Sequence, residues 1–137
     1  ILFAHGGGFW GGEKEALGYH VTQLAEAGFV AASMNYRKGW LGSGDECTGD
    51  PVSLSVAINR AMQDIQACLR YITANADTYG IDTAQIFVGG ESAGVYALMN
   101  GLYMTEEEWS AIHPTHVADY GSLFTSTNNL TNTFTVK

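Results

Sequence analysis

Basic residues are scarce in this sequence: lysine and arginine together number 6 among 137 residues, against 14 aspartates and glutamates. The formal net charge at pH 7 is therefore −8. Nucleic acids and anionic lipid surfaces are bound mainly through clusters of lysine and arginine. The charge balance therefore argues against both as partners, and it leaves the oligomeric state open.

Long apolar runs are also absent. No segment approaches the roughly 18 consecutive apolar residues of a membrane-spanning helix, so no membrane span is expected. The two cysteines, Cys47 and Cys68, could form one disulfide in an exported protein or remain as two thiols. The compartment therefore stays open between secreted or periplasmic and cytoplasmic.

Signatures of metal and nucleotide binding are absent too. The histidines and cysteines show no persuasive ligand spacing, and His113 and His116 lie three residues apart without nearby partners. The glycine-rich segment 6–12 is followed neither by the Lys-Ser/Thr of a phosphate-binding loop nor by the acidic partner of a dinucleotide site. We therefore expect neither a metal nor a cofactor.

Short apolar runs alternate with helical patterns along the chain. The runs at 1–4, 29–36 and 86–88 predict buried strands, and 134–137 predicts the start of another. Helical spacing of apolar residues predicts helices at 14–27, 50–76 and 93–104, whereas 39–49 and 120–135 predict irregular structure. This alternation predicts an α/β fold, with a parallel sheet of about three strands flanked by helices.

Two glycine-rich motifs follow predicted strands: H-G-G-G-F-W at residues 5–10 and G-E-S-A-G at residues 90–94. In the second, a tight turn from strand to helix would expose the hydroxyl of Ser92, and small residues are needed at 90 and 94 to avoid clashes. In the first, glycines let backbone N–H groups approach an oxyanion without an intervening Cβ. A chance pairing of the two motifs is improbable, and together they indicate acyl transfer through a serine nucleophile.

In this order, the two motifs resemble those of α/β hydrolases, especially carboxylesterases and lipases of the hormone-sensitive-lipase and type-B carboxylesterase kinds. The resemblance implies an acyl-enzyme on Ser92, with an oxyanion hole formed by the N–H groups of Gly7, Gly8 and Ala93. It also implies a small-molecule ester substrate with a small or medium acyl group. Acetyl or feruloyl esters on plant polysaccharides are a special case.

Enzymes of this fold usually have about twice as many residues. The resemblance therefore implies that residues 1–137 are a central fragment of one domain, without its N-terminal strands and without the C-terminal part that carries the acid and histidine. We expect such a fragment to lack a complete triad and to have very low activity alone. A triad of Ser92, a glutamate from 106–108 and His113 is formally possible, but in this fold the acid and histidine follow later strands.

Supporting roles are expected for residues near the motifs. The resemblance assigns His5 to holding the oxyanion loop by hydrogen bonds rather than to catalysis. Arg37 and Asp64 are expected to pair and brace the floor of the site, the alternative being two independent surface charges. Trp10 is expected to line the substrate cleft, and Phe9 to lie in the core.

Two other functions remain as alternatives. A catalytically inactive, hydrolase-like binding module shares this fold, although such modules commonly lose the serine that this sequence has at position 92. A serine peptidase or a lactone hydrolase would use the same machinery on another substrate. Labelling with a fluorophosphonate probe and turnover of a short p-nitrophenyl ester would separate these functions.

Overall fold

The sheet has three short parallel strands. The computed structural model describes residues 1–42 and 48–137, so Cys47 lies outside the described residues. Strands β1 (Leu2–Ala4), β2 (Ala32–Met34) and β3 (Val88–Gly90) are arranged in the order β2-β1-β3. Both neighbours run parallel to β1, and the predicted α/β class with a three-stranded parallel sheet is confirmed.

Helices flank this sheet. A 3-10 turn at Lys14–Leu17 leads into the first α-helix. Two short helices follow the helix that begins directly after Ser92. The α-helices are α1 (Gly18–Glu26), α2 (Pro51–Ala74), α3 (Ala76–Tyr79), α4 (Ala93–Tyr103), α5 (Glu106–Ile112) and α6 (His116–Tyr120). Within the described ranges, no helix has the length and apolar character that crossing a bilayer requires.

Helix α2 packs into one core with α4 and the sheet, as its apolar periodicity predicts. The Asp50 carboxylate accepts hydrogen bonds from the backbone N–H groups of Val52 and Ser53, which satisfies donors that have no partner inside the helix. Ala57, Ala61, Ile65 and Leu69 recur every four residues and are fully buried. This face joins α4 and the sheet in one core.

Two predicted strands have different bounds in the structure. The run 29–36 contributes only Ala32–Met34 as a strand, and Phe29 and Val30 are exposed. The third strand lies at Val88–Gly90 rather than at 86–88, so it runs directly into the serine turn. Ile86 instead forms a parallel bridge with Val136, inside the segment predicted to begin another strand.

The segment after α4 contains two helices that the predicted elements did not include. Thr105 and Glu108 form a reciprocal capping box at the start of α5, and Trp109 of that helix is buried against Met62. The tail after α6 is irregular, as predicted. It is held by α2, where the amide of Gln63 donates to the carbonyl of Gly121 at 3.0 Å.

Cys68 on α2 is a free, half-buried thiol. Burial raises its pKa to about 11, with a further contribution from the charge of Asp64. Because the thiolate is the reactive form, this cysteine is poorly suited to nucleophilic chemistry at neutral pH.

Candidate active site

Ser92 lies in a strained turn between β3 and α4. Its backbone has φ 46° and ψ −116°, a conformation that non-glycine residues rarely adopt and that costs about 1–3 kcal/mol. The residue is exposed, and its hydroxyl makes no hydrogen bond within residues 1–42 and 48–137. The turn therefore exposes a hydroxyl that has no hydrogen-bond partner among the described residues. It lies at the N-terminal end of α4, clear of its own backbone.

The glycines at 90 and 94 are required by close packing of this turn against the end of β1. A Cβ on Gly94 would lie 2.2 Å from the carbonyl oxygen of Ala4, and one on Gly90 would lie 3.0 Å from the same atom. Real Cβ atoms do not approach backbone oxygens at 2.2 Å, so a side chain at 94 would force the turn and β1 apart. This is the steric reason for the small residues that the motif predicts.

The glycine loop after β1 lies directly against the serine turn. A Cβ on Gly6 would be 3.3 Å from the Cβ of Ser92. Gly7 and Gly8 have φ values of 113° and 58°, and the Gly7 carbonyl accepts from the N–H of Gly11 at 2.8 Å. The loop is therefore a tight, internally bonded turn that needs left-handed backbone at both positions.

Three backbone donors of the two motifs lack a partner among the described residues. The N–H groups of Gly7, Gly8 and Ala93 make no hydrogen bond to any residue in the described part of the chain. Ala93 is the first residue of α4, where N–H groups have no acceptor within the helix and the dipole favours negative charge. These three N–H groups are therefore free of partners among the described residues.

His5 lies beneath the glycine loop and is fully buried. Its Nδ1 is 2.6 Å from the carbonyl oxygen of Gly6, and its ring stacks on Tyr36 with 4.4 Å between the ring centroids. The Tyr36 hydroxyl donates to the backbone carbonyl of His5 at 2.7 Å, and burial raises the pKa of Tyr36 to about 12, which keeps this donor protonated. These contacts suit the supporting role predicted for His5.

The segment after β2 holds the loop from its other side. The ammonium group of Lys38 donates to the Gly12 carbonyl at 2.6 Å, and the backbone N–H groups of Gly39 and Trp40 both donate to the Phe9 carbonyl. Sequence reasoning missed Lys38. Neighbouring parallel strands place the loops that follow them side by side, so a contact between this segment and the glycine loop could have been predicted. No residue pattern in the sequence indicated that Lys38 would make it.

Arg37 and Asp64 form the predicted contact. Arg37 Nη2 lies 2.9 Å from Asp64 Oδ1, and the backbone N–H of Arg37 donates to Asp64 Oδ2 at 2.7 Å. The same guanidinium donates to the side-chain oxygen of Gln63 at 3.0 Å. Through these bonds, α2 holds the backbone at the end of β2, one residue before the lysine that clamps the glycine loop.

Replacing Asp64 with alanine is expected to lower the free energy of unfolding by about 1–2 kcal/mol, because a backbone N–H and a guanidinium lose their acceptor. The effect should be small because the Arg37 side chain is 49 % exposed and water partly screens the ion pair. Chemical denaturation of the full-length protein measures this value. Asp77→Ala, which removes an exposed carboxylate on α3, is the control and should change it by less than about 0.5 kcal/mol; equal effects of the two substitutions would contradict the bracing role.

A cavity of about 330 Å³ opens beside Ser92. The residues that line it are largely apolar: Gly8, Phe9, Trp40, Leu54, Ile58, Ser92 and Tyr96. Trp10 is not among them; it is 59 % exposed, with its indole beside Gly8, whereas Phe9 is buried as predicted. A larger cavity, about 510 Å³, lies beside Arg70 and residues 128–134, and its lining includes no residue of either motif.

The formally possible triad with His113 is not assembled among the described residues. Glu106 accepts hydrogen bonds from Ser122 and from the Leu123 N–H, and Glu108 caps α5. The His113 ring stacks on that of His116 with 4.6 Å between the centroids, and it contacts Trp109 in a tilted arrangement at 4.3 Å. None of these side chains makes a hydrogen bond to Ser92.

The parallel sheet flanked by helices, together with the relatives described below, places the chain among carboxylesterase-like α/β hydrolases. The profile of the BD-FAE family matches residues 1–122, and the chain belongs to that family. No solved structure shows a significant match to the chain.

Several curated relatives of this chain are named as esterases. Fumonisin B1 esterase of Sphingopyxis macrogoltabida is 33 % identical over 77 % of this chain and 19 % of its own length. Esterase E4 of Myzus persicae is 36 % identical over 74 % of this chain and 17 % of its own length, and neuroligin-like protein glit-1 of Caenorhabditis elegans is 33 % identical over 72 % and 12 %. The chain thus spans less than a fifth of the length of these relatives.

Proposed function

We propose that this chain carries the nucleophile and the oxyanion hole of a serine carboxylic-ester hydrolase. The observation that carries the proposal is the strained, exposed Ser92 placed against a glycine loop, with unpaired N–H groups at Gly7, Gly8 and Ala93. Family membership and the esterase names of several relatives support ester hydrolysis as the chemistry.

In the proposed reaction, a general base takes the hydroxyl proton of Ser92 while its Oγ bonds to the ester carbonyl carbon. The carbonyl oxygen becomes an oxyanion that accepts hydrogen bonds from Gly7, Gly8 and Ala93, each donor contributing ~3 kcal/mol to transition-state stabilisation. The alcohol leaves with the proton, and an acyl group remains on Ser92. Water then attacks the acyl carbon by the same route, which releases the acid and restores the serine.

The general base is proposed to be a histidine outside residues 1–137, oriented by an acid that is also outside them. The surroundings of His5 and His113 support this assignment. His5 is buried under the glycine loop against Tyr36, and His113 stacks in the aromatic cluster of α5 and α6. Neither is available to Ser92 for proton transfer in this arrangement.

A fluorophosphonate probe tests the nucleophile directly, because it phosphonylates an activated serine and mimics the tetrahedral intermediate. In the full-length protein, peptide mapping by mass spectrometry is expected to find the adduct on Ser92. Ser110→Ala, which removes a hydroxyl from α5, is the control and should be labelled like the wild type. An adduct elsewhere, or none, would favour the inactive binding module, whereas labelling with turnover only of peptides or lactones would favour those alternatives.

A further inference from the structure

We propose that Lys38 is a positioning residue for ester hydrolysis: its ammonium group fixes the shape of the glycine loop and so aims the N–H groups of Gly7 and Gly8. The inference rests on the proposed function, since it assumes that these two N–H groups stabilise an oxyanion. It goes beyond that function by giving a role in the reaction to a residue that lies outside both motifs.

The Lys38 ammonium group is committed to the end of the glycine loop. It donates to the Gly12 carbonyl at 2.6 Å. A hydrogen bond from a cationic donor is roughly twice as strong as one between neutral groups. Among the residues that the structure describes, the ammonium group forms no ion pair, so no carboxylate competes with this carbonyl. The side chain is half-buried, which limits screening of the bond by water.

Gly12 packs against the peptide group that carries the first proposed donor. A Cβ at 12 would lie 2.1 Å from the Gly6 carbonyl oxygen and 2.7 Å from Nδ1 of His5, which itself lies 2.6 Å from that oxygen. A peptide group is planar, so the direction of the Gly6 carbonyl also sets the direction of the Gly7 N–H. Holding Gly12 in place therefore holds the Gly7 N–H.

The second proposed donor depends on the residue before Gly12. The Gly11 N–H donates to the Gly7 carbonyl at 2.8 Å. By the same planarity, the direction of the Gly7 carbonyl sets that of the Gly8 N–H. Residues 11 and 12 thus orient both donors, and the Lys38 ammonium group holds these residues from the neighbouring loop.

The loop stays attached to the segment after β2 when the ammonium group is removed. The backbone N–H groups of Gly39 and Trp40 donate to the Phe9 carbonyl at 2.8 and 3.1 Å, and these bonds do not involve the lysine side chain. We therefore expect the fold to persist while residues 11 and 12 move more freely. Such motion should weaken transition-state stabilisation, which needs donors about 2.7–3.1 Å from the oxyanion, more than substrate binding.

Lys38→Met tests the inference, because methionine keeps an unbranched apolar side chain but has neither charge nor donor. In the full-length enzyme, kcat for p-nitrophenyl butyrate is expected to fall about 10- to 100-fold, with KM within about threefold of wild type. A trifluoromethyl ketone, to which the serine hydroxyl adds to give a tetrahedral oxyanion, should bind more weakly by a similar factor. Lys38→Arg, which keeps the charge and the donors, should restore kcat to within about threefold of wild type.

Lys14→Met is the matched control, since it removes a 51 % exposed ammonium group whose nearest carboxylate, on Glu15, is 4.0 Å away. Its kcat should stay within about twofold of wild type. An unchanged kcat in folded Lys38→Met, while Ser92 still reacts with the fluorophosphonate probe, would overturn the role of Lys38 and leave the proposed function standing. A change confined to KM, or a loss of kcat that Lys38→Arg does not restore, would overturn it too.

Absence of probe labelling in the wild type would instead overturn the nucleophile itself. If circular dichroism shows that Lys38→Met does not fold, Lys38→Gln decides the inference by the same measurements. The glutamine amide is too short to reach the Gly12 carbonyl from the same backbone position, so the same loss of kcat and of ketone affinity is expected.

Discussion

Replacing Ser92 with alanine is expected to lower kcat/KM of the full-length protein for p-nitrophenyl acetate by about 10⁴- to 10⁶-fold, since loss of the nucleophile leaves only binding and oxyanion stabilisation. The fold should persist, because the hydroxyl makes no hydrogen bond in the part of the chain that the structure describes. Initial-rate kinetics and circular dichroism measure the two quantities. A loss of less than about tenfold with the fold intact would exclude Ser92 as the nucleophile.

A glycine at the same position separates activity from stability. Ser92→Gly should be as inactive as Ser92→Ala, yet its free energy of unfolding should exceed that of wild type by about 1 kcal/mol, because glycine adopts a positive φ without steric cost. Such a result would mean that the strained backbone of Ser92 lowers the stability of the fold, and that the serine is retained because the reaction needs its hydroxyl. Ser110→Ala is again the control, and neither its activity nor its stability should change appreciably.

Replacing Gly94 with alanine is expected to lower the free energy of unfolding by at least about 3 kcal/mol. The added Cβ would lie 2.2 Å from the Ala4 carbonyl oxygen and 2.6 Å from the His5 carbonyl oxygen, and neither backbone group can rotate away as a side chain would. The serine turn must then separate from β1, and esterase activity should fall with it. Urea denaturation and ester turnover measure both effects.

Gly101→Ala is the matched control, since it makes the same substitution on the same helix. A Cβ at 101 would be 3.5 Å from the nearest atoms of Met62, an ordinary contact distance. Alanine is a better helix former than glycine by about 1 kcal/mol, so this variant should be neutral or slightly more stable. Comparable destabilisation of both variants would show that close packing at Gly94 is not what the motif requires.

Features decided within a few neighbouring residues could be predicted from the sequence. The apolar spacing and the Asp50-Pro51 start placed a helix at 50–76, and the structure has Pro51–Ala74. The capping box of Thr105 and Glu108 is equally local and could have placed α5, but the predicted elements did not use it. The bounds of β3 were wrong by two residues, because a shift of two leaves every side chain on the same face and the pattern unchanged.

The serine turn and the glycine loop are properties of the sequence itself, because backbone freedom and steric size are set by the residues in each segment. Which aromatic side chain lines the cavity was decided only by tertiary structure. Phe9 has a φ of 61° and packs inward, Trp10 is exposed, and Trp40 comes from the irregular segment after β2. Likewise, the contact between Lys38 and Gly12 depends on β1 and β2 lying side by side. Local composition carries no information about such contacts, because they depend on the packing of segments that are distant in the chain.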